Sequence, residues 1–173
     1  MTSPQKDPVI AIQVKRSFRG VHVTLPKLRK LATTICARFG NRRSPGAAYE
    51  ISIAIVDDAE ITQLNTRFLG HVRTTDCLSF DLSEPTPARA GVANARAMEL
   101  IVNGEMAIRQ AASRGHSAQA ELVLYIAHGL LHNFGFDDRT PSLAGKMHQT
   151  EDKILQELGY GLVYNSDTDA PER

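Results

Sequence analysis

Tryptophan is absent from this 173-residue chain, and its aromatic rings are six phenylalanines and four tyrosines. A surface that grips single-stranded nucleic acid chiefly by stacking bases on rings is therefore not expected. Cysteine is scarcer still, with Cys36 and Cys77 alone. They lie far apart in sequence, each in an apolar segment, and no pair has zinc-ribbon spacing. Both are expected to be free thiols, not a disulfide. No apolar run reaches transmembrane length, and the polar residues 1–8 lack the apolar core of a signal peptide. These absences point to a cytoplasmic chain with no membrane partner. Neither charge sign is in excess: 20 Lys and Arg face 19 Asp and Glu, for a net charge of +1. With no overall field to draw in a polyanion, binding to RNA has to rest on basic residues gathered locally.

What is present fits one domain. The length suffices for a single substantial core, and 42% hydrophobic residues is an ordinary globular share. Residues 9–14 alternate as a strand does. Thr24 and Pro26 mark a helix start, and Leu25, Leu28, Leu31, Ile35 and Phe39 recur at helical spacing until Gly40. A basic loop with Arg42 and Arg43 follows. Ile51, Ile53 and Ile55 define a second strand, and Asp57 or Asp58 can cap a short helix ending near Phe68. Strands are expected at 77–82 and 98–102, separated by a Pro-, Ala- and Gly-rich loop over 84–95. Helices are expected at 105–114, 117–134 and about 142–158. The pattern predicts an α+β fold: a flexible N-terminus over 1–8, one domain over 9–160 built on a mostly four-stranded mixed sheet with about five helices, and a tail over 161–173.

The chemistry concentrates in His128-Gly129-Leu130-Leu131-His132-Asn133-Phe134-Gly135-Phe136-Asp137-Asp138. Histidines at i and i+4 share one helix face and can reach one ion. Leu122, Val123, Leu124, Ile126, Leu130 and Leu131 make this helix strongly apolar, and two imidazoles buried there without partners would be costly. A metal, or a set of hydrogen-bond acceptors, has to satisfy them. Gly135 permits a sharp turn that can return Asp137 or Asp138 toward the rings as an oxygen ligand. Zinc proteases place a glutamate directly after the first histidine. Here that position is Gly129, so a peptidase lacks its base.

This stretch resembles the signature H-G-x-L-H-x-x-G-[YF]-D-H of the YbeY family of bacterial endoribonucleases, or rRNA maturation factors. Thr75-Asp76-Cys77-Leu78-Ser79-Phe80 is similar to a second family segment, T-D-V-L-S-F, and Leu64-Asn65 to the pair that precedes it. Residues 98–102 with Ala107, Gln110 and Ala111, and the closing helix over 147–155, also follow the family order. The resemblance implies an α+β fold and zinc held by His128, His132 and Asp138. It further implies metal-assisted cleavage of single-stranded RNA in 16S rRNA processing and ribosome maturation. Two positions differ: the family's third histidine is Asp138 here, and its arginine before the second segment falls at Leu69.

Arg67 or Arg73 can then neutralise the phosphate, and Thr75, Asp76 and Ser79 are expected to line the substrate groove. His148 is the alternative third ligand, and Asp137 can orient an imidazole or cap the turn. Lys27, Arg29, Lys30, Arg38, Arg42 and Arg43 can track an RNA backbone or be a solvated face. Two rival functions remain: a non-catalytic ribosome-assembly factor whose metal is structural, and a hydrolase of a small substrate. Four protein ligands closing the metal would mark the first, and a deep closed pocket the second.

Overall fold

In the first strand, β1 (Val9–Arg16), Ile10, Ile12 and Val14 are half-buried while the residues between them are exposed. That alternation needs a sheet with one covered face. The computed structural model describes residues 7–40, 48–83 and 95–164 and supplies that sheet. β1 pairs in parallel with β2 (Ala48–Val56), β2 in parallel with β4 (Arg96–Asn103), and β3 (Cys77–Asp81) antiparallel with β4. The order is β1-β2-β4-β3, a four-stranded mixed sheet. Among the described residues five α-helices complete an α+β domain: α1 (Leu25–Ile35), α2 (Asp58–Leu69), α3 (Gly104–Arg114), α4 (Ala118–Asn133) and α5 (Pro141–Glu157). The basic loop with Arg42 and Arg43, and most of the expected 84–95 loop, lie outside the described residues.

The register places Ile12 beside Ile51 and Ile51 beside Met98, then Val14 beside Ile53 and Ile53 beside Leu100. These side chains share one face and join the main core, which α1, α4 and α5 also enter. The opposite face carries a smaller cluster, Val56, Leu78 and Ile101, closed by Ile61 of α2. Each fully buried aliphatic side chain contributes about 1.5–3 kcal/mol. α4 is apolar around most of its circumference and is buried over nearly its whole length, as such a helix must be. It lies between the sheet and α5, so its C-terminal histidines are held by the centre of the molecule.

Local signals account for most helix ends. Asp57, not Asp58, caps α2, accepting from the Glu60 N–H at 2.8 Å. Ser117 caps α4 and Thr140 caps α5 through their hydroxyls. Thr24 stands at the start of α1 but its side chain makes no capping bond. The helical spacing that runs on to Phe39 is not continuous α-helix: Cys36–Gly40 is a single π-helical turn. Residues 161–164, expected to belong to the tail, run back over α5. Val163 is buried, and its N–H and that of Tyr164 donate to Asp152 Oδ1 at 3.2 and 3.0 Å.

Both cysteines are free, as expected. Burial pushes the Cys36 thiol up to about 12 and raises that of Cys77 well above its usual value, so neither is a reactive thiolate. Among the described residues no helix is long and apolar enough to cross a membrane.

Candidate metal centre

α4 brings His128 and His132 to one face, and the turn after it does the rest. Gly135 takes φ +90°, and the Gly135 and Phe136 N–H groups bond back to the carbonyls of His132 and Leu131. The fold-back delivers two groups to the imidazoles. The Phe136 carbonyl lies 3.0 Å from His132 Nδ1. Asp138 Oδ2 lies 3.6 Å from His128 Nε2 and 3.9 Å from His132 Nε2. The two Nε2 atoms are 3.0 Å apart, with their rings nearly perpendicular.

The Nδ1 contacts decide what the Nε2 atoms can do. Glu151 of α5, 1% exposed, places Oε1 2.7 Å from His128 Nδ1. A carboxylate there and a carbonyl at His132 Nδ1 both accept a proton, so each neutral ring carries its hydrogen on Nδ1 and turns a lone pair outward at Nε2. Two such lone pairs and a carboxylate oxygen facing one another repel unless a cation lies among them. Tetrahedral zinc with bonds near 2.0–2.1 Å separates its ligand atoms by about 3.3 Å. The observed 3.0, 3.6 and 3.9 Å edges bracket that spacing. His128, His132 and Asp138 thus form a set of donors, all within 4.8 Å of one another, that can hold a metal ion. Burial disfavours the charged form of His128, but the bonded Glu151 carboxylate, with Asp76 and Asp138 nearby, raises its pKa above the usual value. The same surplus of negative charge favours a cation.

His148 does not join this set. Its Nδ1 lies 2.9 Å from Glu151 Oε2, and its ring stacks on Tyr164 with centroids 3.4 Å apart. Asp137 is taken by the turn: its carboxylate accepts from the Asp138 and Arg139 N–H groups and pairs with the Arg139 guanidinium. The hydrogen bonds from Arg139 hold its pKa down at about 2.

Beside the donors opens a pocket of about 500 Å³, lined by His128, Asp138, His148 and Glu151 and also by Arg73, Thr75 and Asp76. The sequence-selected Arg73, Thr75 and Asp76 are therefore brought to the metal donors. Arg67 and Ser79 are not. Arg67 is exposed at the end of α2 with its guanidinium over the Phe68 ring. Ser79 lies on β3 against α4, where its Cβ would sit 3.4 Å from a Cβ built on Gly129. In β3 the alternate residues Cys77 and Ser79 meet the helix, and only the segment before the strand reaches the pocket.

Buried groups that the sequence reading passed over hold that segment. Asn65 Nδ2 donates to the Arg73 carbonyl at 2.9 Å, and Asn103 Nδ2 donates to the Thr75 carbonyl at 3.1 Å. Asp76 Oδ1 accepts from the Cys77 N–H and the Thr75 hydroxyl. Glu121, which also lines the pocket and is fully buried, meets Arg114 at 3.1 Å and His116 at 3.0 Å. Burial raises its pKa against the pull of those two neighbours. Signals for two of these residues existed: Asn65 belongs to the Leu64-Asn65 pair, and Glu151 lies in the closing helix. Neither is a ligand type that spacing alone selects.

An α+β domain with two helical histidines, a carboxylate from the following turn and an adjoining polar pocket defines a small protein with a candidate metal site. A family profile described as endoribonuclease YbeY matches residues 13–159, and the chain belongs to that family. Among its relatives, the endoribonuclease YbeY of Moorella thermoacetica is 37% identical over 114 residues, 64% of this chain and 73% of the relative. That of Symbiobacterium thermophilum is 35% identical over 123 residues, 66% of this chain and 74% of the relative. A Thermotoga maritima protein solved in solution superposes with a TM-score of 0.52 at 21% identity, covering 94% of this chain and all of that one. That likeness concerns the fold.

Proposed function

We propose that this chain is a zinc-dependent endoribonuclease that cuts single-stranded RNA, acting in the cytoplasm in 16S rRNA processing and small-subunit maturation. The observation that carries the reading is the meeting of His128, His132 and Asp138 beside a pocket that His128 and Asp138 line together with Arg73, Thr75 and Asp76. The relatives' name, endoribonuclease, supplies the substrate class. His128, His132 and Asp138 hold the metal. When bound, zinc acidifies a water molecule and polarises a phosphoryl oxygen. Arg73, exposed at the pocket rim, pairs with the phosphate, a task for which Arg67 is poorly placed. The Thr75 hydroxyl and the Asp76 carboxylate orient the sugar. Ser79 serves the packing of β3 on α4.

The rival with a structural metal needs four protein donors. Among the described residues three converge, and His148, stacked on Tyr164, is not one of them. A fourth position open to a pocket favours the enzyme. The test is metal analysis paired with cleavage of a labelled single-stranded RNA. Expected are about one zinc per chain, cleavage abolished by chelation and restored by zinc, and loss of both metal and cleavage in His128→Ala and His132→Ala. Full zinc retention in both variants, or cleavage indifferent to chelation, would overturn the reading.

A further inference from the structure

The net charge of +1 conceals a sharp asymmetry. Between Asp7 and Glu50 the sequence has nine Lys and Arg residues and no acidic side chain, and the rest of the chain carries eight more acids than bases. Six of those nine, Lys15, Arg16, Arg19, Lys27, Arg29 and Lys30, lie in the segment that forms β1 and α1, a different part of the chain from His128, His132 and Asp138. This is where the local gathering of basic residues that RNA binding needs in a near-neutral protein is found.

Within that segment is a second hollow of about 550 Å³, lined by Ile12, Val14, Arg16, Arg19, Val21, His22 and Leu25. Its lining includes no carboxylate. The Arg16 guanidinium is fixed at the rim because Nη2 donates to the Val23 carbonyl at 2.9 Å. Arg19 and His22 are exposed, and among the described residues the Arg19 side chain has no hydrogen bond or ion pair. The loop is anchored, because Gln119 of α4 donates to the His22 carbonyl at 2.7 Å and accepts from Lys27 Nζ at 2.6 Å.

We propose that this hollow is a second RNA contact, in which Arg16, Arg19 and His22 hold a backbone phosphate while Ile12, Val14 and Val21 face the adjoining sugar or base. This rests on the RNA reading above. The guanidinium fork matches phosphate oxygens, and an acid-free lining leaves the attraction unopposed. Gln119 and His128 are nine residues apart on α4, roughly 14 Å along its axis. An RNA of a few nucleotides fills the metal pocket alone, and a longer strand reaches both.

The test measures binding of cleavage-resistant single-stranded RNAs of about three and about twenty nucleotides, spanning the scale above, to the full chain across a salt series. Arg19→Glu is the main variant, because Arg19 is exposed and, among the described residues, unbonded. Arg16→Gln is the second, with thermal unfolding as its control. For the long RNA, Arg19→Glu is expected to weaken binding about tenfold and to flatten the slope of log affinity against log salt by about 0.7. Binding of the short RNA, zinc content and unfolding temperature should not move. Equal affinity and slope for the long RNA in wild type and Arg19→Glu would overturn this site alone. A wild type that binds neither RNA would overturn the RNA function and this site with it. Binding to phosphatidylglycerol vesicles that Arg19→Glu abolishes, with RNA affinity unchanged, would assign the hollow to a membrane surface and overturn the proposal.

Discussion

Glu151 of α5 and His128 of α4 meet through a 2.7 Å contact from Oε1 to Nδ1, and the other Glu151 oxygen lies 2.9 Å from His148. One buried carboxylate thus fixes the proton and the orientation of a metal-facing imidazole from a neighbouring helix. Losing such a partner lowers metal affinity about 10–100-fold. Glu151→Ala is expected to do so in competition with a chromophoric zinc chelator. Glu151→Gln, whose amide oxygen still accepts from Nδ1, should retain most of the affinity. Unchanged affinity in Glu151→Ala would show that His128 needs no such support.

How far the sequence discloses this site depends on whether its residues act along one element or across several. His128 and His132 are four apart on one helix, so their common face follows from helix geometry alone. Gly135 announces its turn because glycine favours the φ of +90° found there. The strands were legible in the Ile51, Ile53 and Ile55 alternation, because their opposite face is less deeply covered. Glu151 was not legible: an acidic residue on a polar helix reads as a solvated charge until α5 is packed against α4. Asn103 ends a strand and starts a helix, and only the return of residues 73–76 from another part of the chain shows what its amide bonds. That Arg67 and Ser79 do not line the pocket was hidden for the same reason. Proximity in sequence to Asp76 does not decide which side of β3 or which end of α2 faces the pocket.

Asn103 is the residue through which the fold holds the pocket rim. It is fully buried; its Oδ1 accepts from the Met106 N–H at 2.9 Å, capping α3, and its Nδ2 reaches Asp58, Thr74 and Thr75. Asn103→Ala removes the cap and leaves the half-buried Thr75 carbonyl short of a donor, a destabilisation of about 2–3 kcal/mol. Asn103→Asp keeps the cap but sets a second carboxylate against Asp58, so it should rescue little. Both variants are expected to loosen residues 73–76 and to lower RNA cleavage beyond the loss of folded protein. Cleavage per folded molecule equal to wild type would separate this amide from the pocket.

Asp58 gives an acid-side signature. Its carboxylate receives two bonds from Arg109, at 2.6 and 3.0 Å, and others from Asn103 and Thr74. The Arg109 bonds, opposed by partial burial and helped by Asn103 and Thr74, hold its pKa below the usual 3.8. A carboxylate with a depressed folded pKa stabilises the fold fully above its unfolded pKa and loses that contribution as pH falls through the folded value. The gap in unfolding temperature between wild type and Asp58→Asn should therefore be constant above about pH 5 and close below about pH 4. A gap independent of pH would mean that Asp58 contributes through shape and not through charge.

Gly129 stands where a zinc protease carries its catalytic glutamate, and packing explains the glycine. A Cβ built there would lie 2.8 Å from Cys77 Sγ and 2.8 Å from Leu100 Cδ2, closer than side chains tolerate. The glycine is what lets α4 approach β3 and β4 and seats His128 next to Asp76. Gly129→Ala gains helix propensity but overpacks this contact, for a net loss of about 1–3 kcal/mol, or a fall of several degrees in the thermal midpoint for a chain of this size. Because part of the clash is with the Cys77 sulfur, Cys77→Ala in the Gly129→Ala background should recover part of that loss. In the wild-type background Cys77→Ala should be mildly destabilising, so opposite signs in the two backgrounds are the diagnostic. Gly129→Glu rebuilds the protease motif in sequence but cannot be housed against β3 and β4. It is expected to unfold the chain or displace α4, not to confer peptidase activity. A well-folded Gly129→Glu protein with an unchanged midpoint would refute the packing account.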